Sequence, residues 1–233
     1  MRYRRSVIGP FWISLSIGAF VVGLAFIYSQ LFALPFQEYL NRLAAGYVLW
    51  HYLSAIVNEG SHAVTESASN LKSVHLPTSI LAARVTARNI IVLLHNLAAV
   101  LPLMVLFGGH QFNANLLWAV AGMGLYAILG MFVVLTLGPI CARYRDLPEV
   151  LKSVTQLCFF LTPVIWPADR LQGHPEIVLY NPFYHLIELV RAPMLGSPPT
   201  TDNLIAAGLC IGFFIVTSFF SAEAARQRLP LWV

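Results

Sequence analysis

The stretch NIIVLLHNLAAVLPLMVLFGGHQFNANLLWAVAGMGLYAILGMFVVLTLGPI, residues 89–140, runs for 52 residues without an Asp, Glu, Lys or Arg. A helix that crosses a bilayer needs about 20 mostly apolar residues, so the stretch is long enough for two such helices. Its middle, GGHQFNAN (108–115), has the Gly and Asn content typical of a turn. We therefore predict two membrane spans, at 89–107 and 116–140.

The composition of the whole chain agrees with a membrane protein. Of its 233 residues, 58% are hydrophobic and 10% are charged, and the mean hydropathy is +0.72. A soluble domain carries about 25% charged residues, so this chain has too few to cover a surface in water. The net charge of +4 is then a matter of membrane orientation, and we expect no nucleic-acid partner. The three cysteines, Cys141, Cys158 and Cys210, are odd in number and lie in or beside apolar runs, which predicts packing rather than disulfides or metal.

Further apolar runs flank the central stretch. The run at 7–34 follows basic residues, as the core of a signal peptide does. It is far longer than the roughly 7–15 residues of such a core, so we expect it to remain as the first span. The other runs are 43–65, 203–222 and a shorter one at 153–168, which Pro163 interrupts. With the residues just before it, this short run gives a predicted span at 149–168.

The basic residues predict the orientation of these runs. Three arginines precede the first run and two follow the last, and basic residues favour the cytoplasmic side. Both termini are then cytoplasmic and the number of spans is even, which makes six with 149–168 as the fifth. Eleven of the 14 Lys and Arg residues fall in cytoplasmic segments, and the three outer ones are Arg42, Arg170 and Arg191.

The segment at 169–201, before the last span, is predicted to lie outside and to contain a short helix. Apolar residues recur there at helical spacing, with Glu188 and Arg191 off the apolar stripe. This pattern is typical of an amphipathic helix that lies in the outer leaflet or dips into it. The stripe follows Pro182 and consists of Phe183, Leu186, Ile187, Val190 and Met194. The expected fold is all-α: one domain, 1–233, of six transmembrane helices with this outer segment.

Motifs of catalysis are scarce. The sequence has no H-E-x-x-H, no G-x-S-x-G and no G-x-x-x-x-G-K-[ST]. Glu59 and His62 form a single E-x-x-H pair, which di-iron bundles use in two copies, and His185 and Glu188 have the reverse order. We expect no catalytic residue, no metal and no cofactor in this chain, and Glu59 with His62 as a buried polar pair.

Polar residues inside the predicted spans are costly and often line pathways. Each is explained by a hydrogen bond between helices, and together they are compatible with a hydrated or sugar-lined path. They are Gln30, His51, Asn58, Glu59, His95, Asn96, Thr136 and Gln156.

Two predicted cytoplasmic loops, 66–79 and 141–150, carry most of the remaining polar residues. The second lies within CARYRDLPEVLK (141–152), where charges return after the uncharged stretch. A loop that merely fixes orientation needs its basic residues but not the compact turn that starts at Arg145 and ends at Pro148. Such a turn is better suited to a docking surface.

Five segments carry a family resemblance. RYRRSVIGPFW (2–12), NLKSVHLP (70–77), RYRDL (143–147), TPVIWP (162–167) and NPFYHLIELVR (181–191) occur in this order along the chain. With them the sequence resembles the membrane subunits of ABC-2 type exporters of polysaccharides, which include O-antigen, capsule and teichoic acid. Members of that family carry an amphipathic interface helix ahead of the R-Y-R-R-S segment, whereas this sequence starts at Met1 within it.

The resemblance implies a machine of several parts. It implies six spans per subunit, a homodimer in the inner (plasma) membrane, and two copies of a separate ATPase that binds ATP and Mg²⁺. The cargo is expected to be a glycan on an undecaprenyl-type lipid, moved from the cytoplasmic to the outer leaflet. The outer segment is expected to form re-entrant helices that gate the exit, with Pro182, Phe183, Leu186, Ile187 and Val190 as gate residues. The ATPase is expected to dock on both loops, at Glu66, Asn70, Lys72, His75, Pro77, Arg143, Arg145, Asp146 and Glu149.

Three alternatives stay open. The first is an ABC-2 permease for a small molecule or drug. The second is a membrane-embedded enzyme of lipid-linked sugar metabolism, which would need clustered acids such as D-x-D or D-D-x-x-D, and the sequence has neither. The third is a proton-coupled carrier, which would use Glu59 and an internal repeat that the sequence does not show.

Overall fold

A computed structural model describes residues 11–67, 77–109, 113–171 and 173–225. These residues form eight α-helices and two short 3₁₀ turns, and no strand lies among them. The helices are α1 (Phe11–Leu31), α2 (Phe36–His62), α3 (Thr78–Leu106), α4 (Leu116–Arg143), α5 (Leu147–Leu161), α6 (Pro175–Leu179), α7 (Pro182–Met194) and α8 (Thr201–Ala225). The 3₁₀ turns are Thr65–Ser67 and Ala168–Arg170.

Helix α2 is the centre of the bundle. It packs against α1, α3, α4, α5 and α7. Its buried residues lie on all sides of the helix, from Tyr39 and Leu40 at one end to Ile56 and Gly60 at the other. Because α2 is buried on all sides and contacts five other helices, it is the element against which the others are placed.

Three described helices are long and apolar enough to cross a membrane: Thr78–Leu106, Leu116–Arg143 and Thr201–Glu223. The apolar part of α1, Leu15–Leu31, is shorter. The surface of α8 carries exposed large side chains such as Phe219 and Phe220, which suits contact with lipid rather than water. The chain is thus built as an all-helical membrane protein, and six spans remain a prediction.

Most predicted spans correspond to helices, but the helices begin and end at other residues than predicted. Helix α3 begins at Thr78, well before the predicted start at 89, so Arg84 and Arg88 lie on it. The other predicted spans correspond to Phe11–Leu31 for 7–34, Phe36–His62 for 43–65, Leu116–Arg143 for 116–140, and Thr201–Ala225 for 203–222. Charged residues at a helix end can reach water, so hydropathy alone marks the apolar middle of a helix and misses its ends.

The predicted fifth span, 149–168, is wrong at its outer end. Helix α5 has 15 residues and ends at Leu161, because Thr162 has an extended backbone and Pro163 follows it. At 1.5 Å per residue it is about 22 Å long, shorter than the roughly 30 Å core of a bilayer.

The predicted loop 141–150 is also wrong, since most of it is helical. Helix α4 continues to Arg143 and α5 begins at Leu147. Only residues 144–146 turn, with the Leu147 N–H donating to the Tyr144 carbonyl at 3.1 Å. Pro148 lies in the first turn of α5, where no helical N–H is required. The loop 66–79 is partly described: Glu66 lies in a 3₁₀ turn and α3 begins at Thr78, while Asn70, Lys72 and His75 lie outside the described residues.

Candidate functional site

The outer segment 169–201 folds back against the bundle through α7. The Asn181 side-chain oxygen accepts hydrogen bonds from the backbone N–H groups of Phe183 (3.0 Å) and Tyr184 (3.2 Å). Its Nδ2 donates to Thr162 Oγ1 at 3.0 Å, at the end of α5. Pro182, exposed, takes the first helical position, which favours proline. One side chain therefore both caps α7 and attaches it to α5.

The predicted gate residues Leu186, Ile187 and Val190 are buried in the bundle. The Tyr126 hydroxyl of α4 donates to the Leu186 carbonyl at 2.8 Å. The Tyr52 hydroxyl of α2 donates in turn to the Tyr126 carbonyl at 2.7 Å, and the two tyrosine rings stack with centroids 5.2 Å apart. Helix α7 is thus fixed to α4 and, through α4, to α2.

A row of three aromatic side chains places the start of α7 beside the middle of α2. The half-buried Phe183 ring lies 5.2 Å from the ring of Trp50, which lies 5.4 Å from that of Phe159 on α5. Trp50 is near the middle of the 27-residue α2. The first turn of α7 therefore reaches the middle of the bundle.

Arg191, predicted to lie off the apolar stripe, is nevertheless buried, with its side chain 1% exposed. Its Nη2 and Nε donate to Glu188 Oε1 at 2.5 and 3.2 Å, and its Nη1 donates to the Pro163 carbonyl at 3.0 Å. The Glu188 side chain is 13% exposed. A buried charge persists only when it is paired and hydrogen-bonded, and both conditions hold here.

Two glycines make room for α7. A Cβ on Gly46 of α2 would lie 2.7 Å from Arg191 Nη1. A Cβ on Gly122 of α4 would lie 2.8 Å from Val190 Cγ2 and 3.2 Å from the Leu189 carbonyl oxygen. All three distances are shorter than van der Waals contact. A side chain at Gly46 would therefore shift the Arg191 guanidinium, and one at Gly122 would press on the backbone of α7.

Three predicted path residues share a groove between α1, α2 and α5. His51, Asn58 and Gln156 line a cavity of about 310 Å³ together with polar side chains of the same helices, Ser54, Lys152 and Thr155. Its other walls are aromatic: Phe20, Tyr47, Trp50 and Phe159. A concave site with a few polar groups among aromatic walls is typical of a ligand pocket.

The other predicted path residues lie elsewhere. Glu59 pairs with Arg88 and accepts a hydrogen bond from Asn89 Nδ2 at 2.5 Å, so its carboxylate joins α2 to α3. No group of three or more His, Cys, Asp or Glu residues suited to a metal occurs in the described ranges. Gln30 is exposed at the end of α1, whereas His95 is half-buried and Asn96 buried on α3, and Thr136 Oγ1 lies 3.2 Å from Thr217 Oγ1 on α8.

A larger cavity, about 960 Å³, opens beside α7 at the start of α2 and α8. Five charged residues are among those that line it: Glu38, Arg42, Asp169, Glu188 and Asp202. His185 lies in its wall, with Nδ1 2.9 Å from Asn203 Oδ1 and Nε2 2.7 Å from the Leu179 carbonyl oxygen. These bonds join α7 to α6 and α8. Helix α7 thus contributes both to the wall of the charged cavity and to the buried core.

The described parts of the two predicted loops lie at the opposite end of the bundle. Ala63, Ala82, Val85 and Val134 form a small apolar cluster that joins the ends of α2, α3 and α4. The Arg84 Nη2 on α3 donates to Ser67 Oγ at 2.8 Å. Glu66 and Pro77 are exposed at this end, as are Arg143, Arg145, Asp146 and Glu149 at the turn between α4 and α5. Lys152 lies 3.6 Å from Glu149.

Several residues of this framework were not found from the sequence. The stacking of Tyr52 on Tyr126 and the space at Gly46 depend on contacts between distant helices and leave no local pattern. The pair of Glu188 and Arg191 did leave a signal, because residues three apart on a helix are neighbours.

Comparisons with known proteins agree with this architecture. The family described as ABC-2 type transporter matches residues 1–195. The chain is 24% identical over 198 residues to the O-antigen export system permease protein RfbA of Myxococcus xanthus, covering 82% of this chain and 74% of that protein. It is 19% identical over 192 residues to a protein of the same name from Klebsiella pneumoniae, covering 80% and 73%. Nodulation protein J of Rhizobium leguminosarum bv. viciae is 33% identical over 112 residues, covering 48% and 41%. This chain belongs to the ABC-2 type transporter family.

Proposed function

We propose that the chain is the membrane permease subunit of an ATP-driven exporter that moves a lipid-linked polysaccharide from the cytoplasmic to the outer leaflet. The observation that carries this proposal is the position of Trp50. Its ring lines the polar groove and also lies 5.2 Å from Phe183 at the start of α7. The groove thus ends at the helix proposed as the exit gate. The names of the relatives, which are O-antigen export permeases, support a glycan as cargo.

The side chains of the groove suit a sugar. Amide and imidazole groups of His51, Asn58 and Gln156 exchange hydrogen bonds with hydroxyl groups, which carry both a donor and acceptors. The aromatic faces of Trp50 and Phe159 pack against the C–H faces of a sugar ring. Contacts of this kind are individually weak, so a long chain of repeating units slides past them.

A second copy of the chain completes the path in this proposal. Helix α5 presents apolar side chains on its outer face, with Val150, Val154, Leu157 and Phe160 all about half exposed or more. The exposed Gln156 lies beside them at the groove. A homodimer that buries this face would turn two open grooves into one enclosed passage, since a twofold axis places the same face of each subunit opposite its mate.

The driving force comes from a partner in this proposal. Two copies of an ATPase, which hold ATP and Mg²⁺, dock at the exposed residues around the turn between α4 and α5 and around Thr65–Ser67. The apolar cluster at this end packs the start of α3 and part of α4 against the end of α2, the helix that also lines the groove. A shift of the ATPases would then move α2 and α5 together. Both termini lie in the cytoplasm and the complex lies in the inner membrane.

Replacement of groove residues in living cells tests the proposed cargo and path. Cells that lack the chain are expected to lose the surface glycan and to accumulate lipid-linked glycan in the inner membrane. The variant with His51→Leu, Asn58→Leu and Gln156→Leu should restore little surface glycan, because its groove has lost the hydrogen-bonding groups. The control Gln30→Leu changes a polar residue outside the groove and should restore it.

Quantification of surface and lipid-linked glycan by gel and lectin blot checks this expectation. Normal surface glycan with the triple variant, at equal protein level, would refute the groove as the path. Normal glycan in cells that lack the chain altogether would refute the cargo and favour the small-molecule alternative.

A further inference from the structure

The start of α7 also borders a third cavity, which is unlike the other two. It has a volume of about 420 Å³ and lies between α2, α4, α7 and α8. Its lining is mostly aliphatic and aromatic. The Tyr52 hydroxyl, a polar group among the lining residues, already donates a hydrogen bond to the Tyr126 carbonyl. A cavity of about 150 Å³ lined by such side chains stays dry and binds apolar ligands. This larger cavity is therefore suited to an apolar ligand.

The cavity lies at the depth of the hydrocarbon core. On α8 it is bounded by Leu209 and Phe213, which lie about 12 and 18 Å from the start of that helix at Thr201. The hydrocarbon core of a bilayer is about 30 Å thick, so this is near its middle. Leu209 and Phe213 are also 69% and 61% exposed, so the wall of the cavity is part of the apolar outer surface of the molecule.

We propose that this cavity binds an acyl chain of a membrane phospholipid. Its wall is continuous with the surface of α8 that faces bulk lipid, and most chains in that lipid are acyl chains. Mass action then favours them over any rarer apolar molecule. The inference rests on the membrane location of the chain and does not depend on its cargo.

An acyl chain in this position packs directly against α7. Phe183 and Leu186 of that helix line the cavity, and the Leu186 carbonyl accepts the hydrogen bond from Tyr126. Burial of apolar surface on both the chain and these side chains stabilises the bound state. Lipid binding therefore holds the start of α7 in the position described here.

Cys210 offers a way to fill the cavity from within. It lines the cavity and is half-buried. The variant Cys210→Trp places an indole in the space of the acyl chain. The matched control is Val216→Trp on the same helix, because Val216 is 56% exposed and does not line the cavity. If Cys210→Trp does not fold, Cys210→Leu fills less of the space and serves instead.

Photo-crosslinking with two probes tests the proposal. The purified chain is incorporated in bilayers containing phosphatidylethanolamine with a diazirine in its acyl chain, or a polyprenyl phosphate with the same group. Mass spectrometry then locates the labelled residues. We expect the acyl probe to label residues of the cavity wall, the Cys210→Trp variant to lose this labelling severalfold, and Val216→Trp to keep it.

A second readout is the melting temperature of the delipidated protein in detergent. Added phosphatidylethanolamine should raise it in wild type and in Val216→Trp, and much less in Cys210→Trp. Acyl labelling of the cavity wall that Cys210→Trp leaves unchanged would overturn the proposal. So would labelling of the wall by the polyprenyl probe alone, which would assign the cavity to an isoprenoid chain.

Discussion

Arg191 is a buried charged residue whose interactions are expected to matter strongly for stability. Its guanidinium is buried, and the carboxylate of Glu188 and the carbonyl of Pro163 compensate the charge. Removing one partner of a buried ion pair costs about 3–5 kcal/mol, because the other charge is left uncompensated. The arrangement also requires a glycine at position 46, where a side chain would meet Nη1.

The variant Gly46→Ala tests this requirement. Its Cβ would lie 2.7 Å from Arg191 Nη1, so the guanidinium must move away from the Pro163 carbonyl. A hydrogen bond to a charged group contributes about 1.5–3 kcal/mol, which exceeds the gain of up to about 1 kcal/mol from Ala in a helix. We expect a lower melting temperature in detergent by several degrees.

The matched control is Gly23→Ala on α1, where a Cβ meets nothing within 4 Å. This variant should melt at the wild-type temperature or slightly above it. If Gly46→Ala and Gly23→Ala melt alike, the guanidinium is not held as described.

For single residues, the sequence predicted the apolar face of α7 but not the burial of its charged residue. The apolar stripe of α7 correctly placed Leu186, Ile187 and Val190 together. The burial of Arg191 was missed because the periodic pattern treats every charge as exposed, whereas Gly46 and the Pro163 carbonyl, both remote in sequence, provide its site. Such a site cannot be found from one helix alone.

Among the helices, α5 and α7 are connected where α5 ends and α7 begins. Thr162 and Pro163 end α5 early, and the chain then returns through two short turns of helix to Asn181. The Asn181 side chain joins the two helices, since it caps α7 and donates to Thr162 Oγ1. Beyond the end of α5, the start of α7 packs beside it through the row of Phe159, Trp50 and Phe183.

Two variants of Asn181 separate these contributions. Asn181→Ala removes both the cap and the bond to Thr162, and loss of a cap costs about 0.5–2 kcal/mol. Asn181→Ser keeps a capping hydroxyl but is too short to reach Thr162. Hydrogen–deuterium exchange of the amides of residues 183–186 should rise strongly in the Ala variant and moderately in the Ser variant. Equal exchange in wild type and Asn181→Ala would show that neither interaction fixes the helix.

The sequence predicted the existence of these helices but not their ends. Two helices occupy the uncharged stretch at 89–140, as expected, and the break between them falls between Leu106 and Leu116. Residues 110–112 of the predicted turn lie outside the described residues. The ends differ because α3 continues past its apolar part to Arg84 and Arg88, which pair with partners on other segments, Ser67 and Glu59. These partners come close only in the folded chain, so they cannot be predicted from local hydropathy.

For the whole molecule, the central feature is that α2 reaches every candidate site. It lines the polar groove and the apolar cavity, contributes Glu38 and Arg42 to the charged cavity, and ends in the cluster beside the proposed ATPase seat. Because a packed helix moves as a rigid element, a displacement of the end of α2 near Ala63 is expected to reach the groove and α7.

Transport by purified components tests the central claim most directly. The chain and its ATPase are reconstituted in liposomes with lipid-linked glycan, and glycan that becomes accessible to an external lectin is measured over time. We predict accessibility that requires both ATP and the ATPase. The variant Arg145→Glu with Asp146→Arg should insert normally but lose most transport and retain less ATPase on co-purification, because charges at an interface set docking. Glycan that stays inaccessible in the presence of ATP and the bound ATPase, while a small apolar compound is moved, would contradict the account.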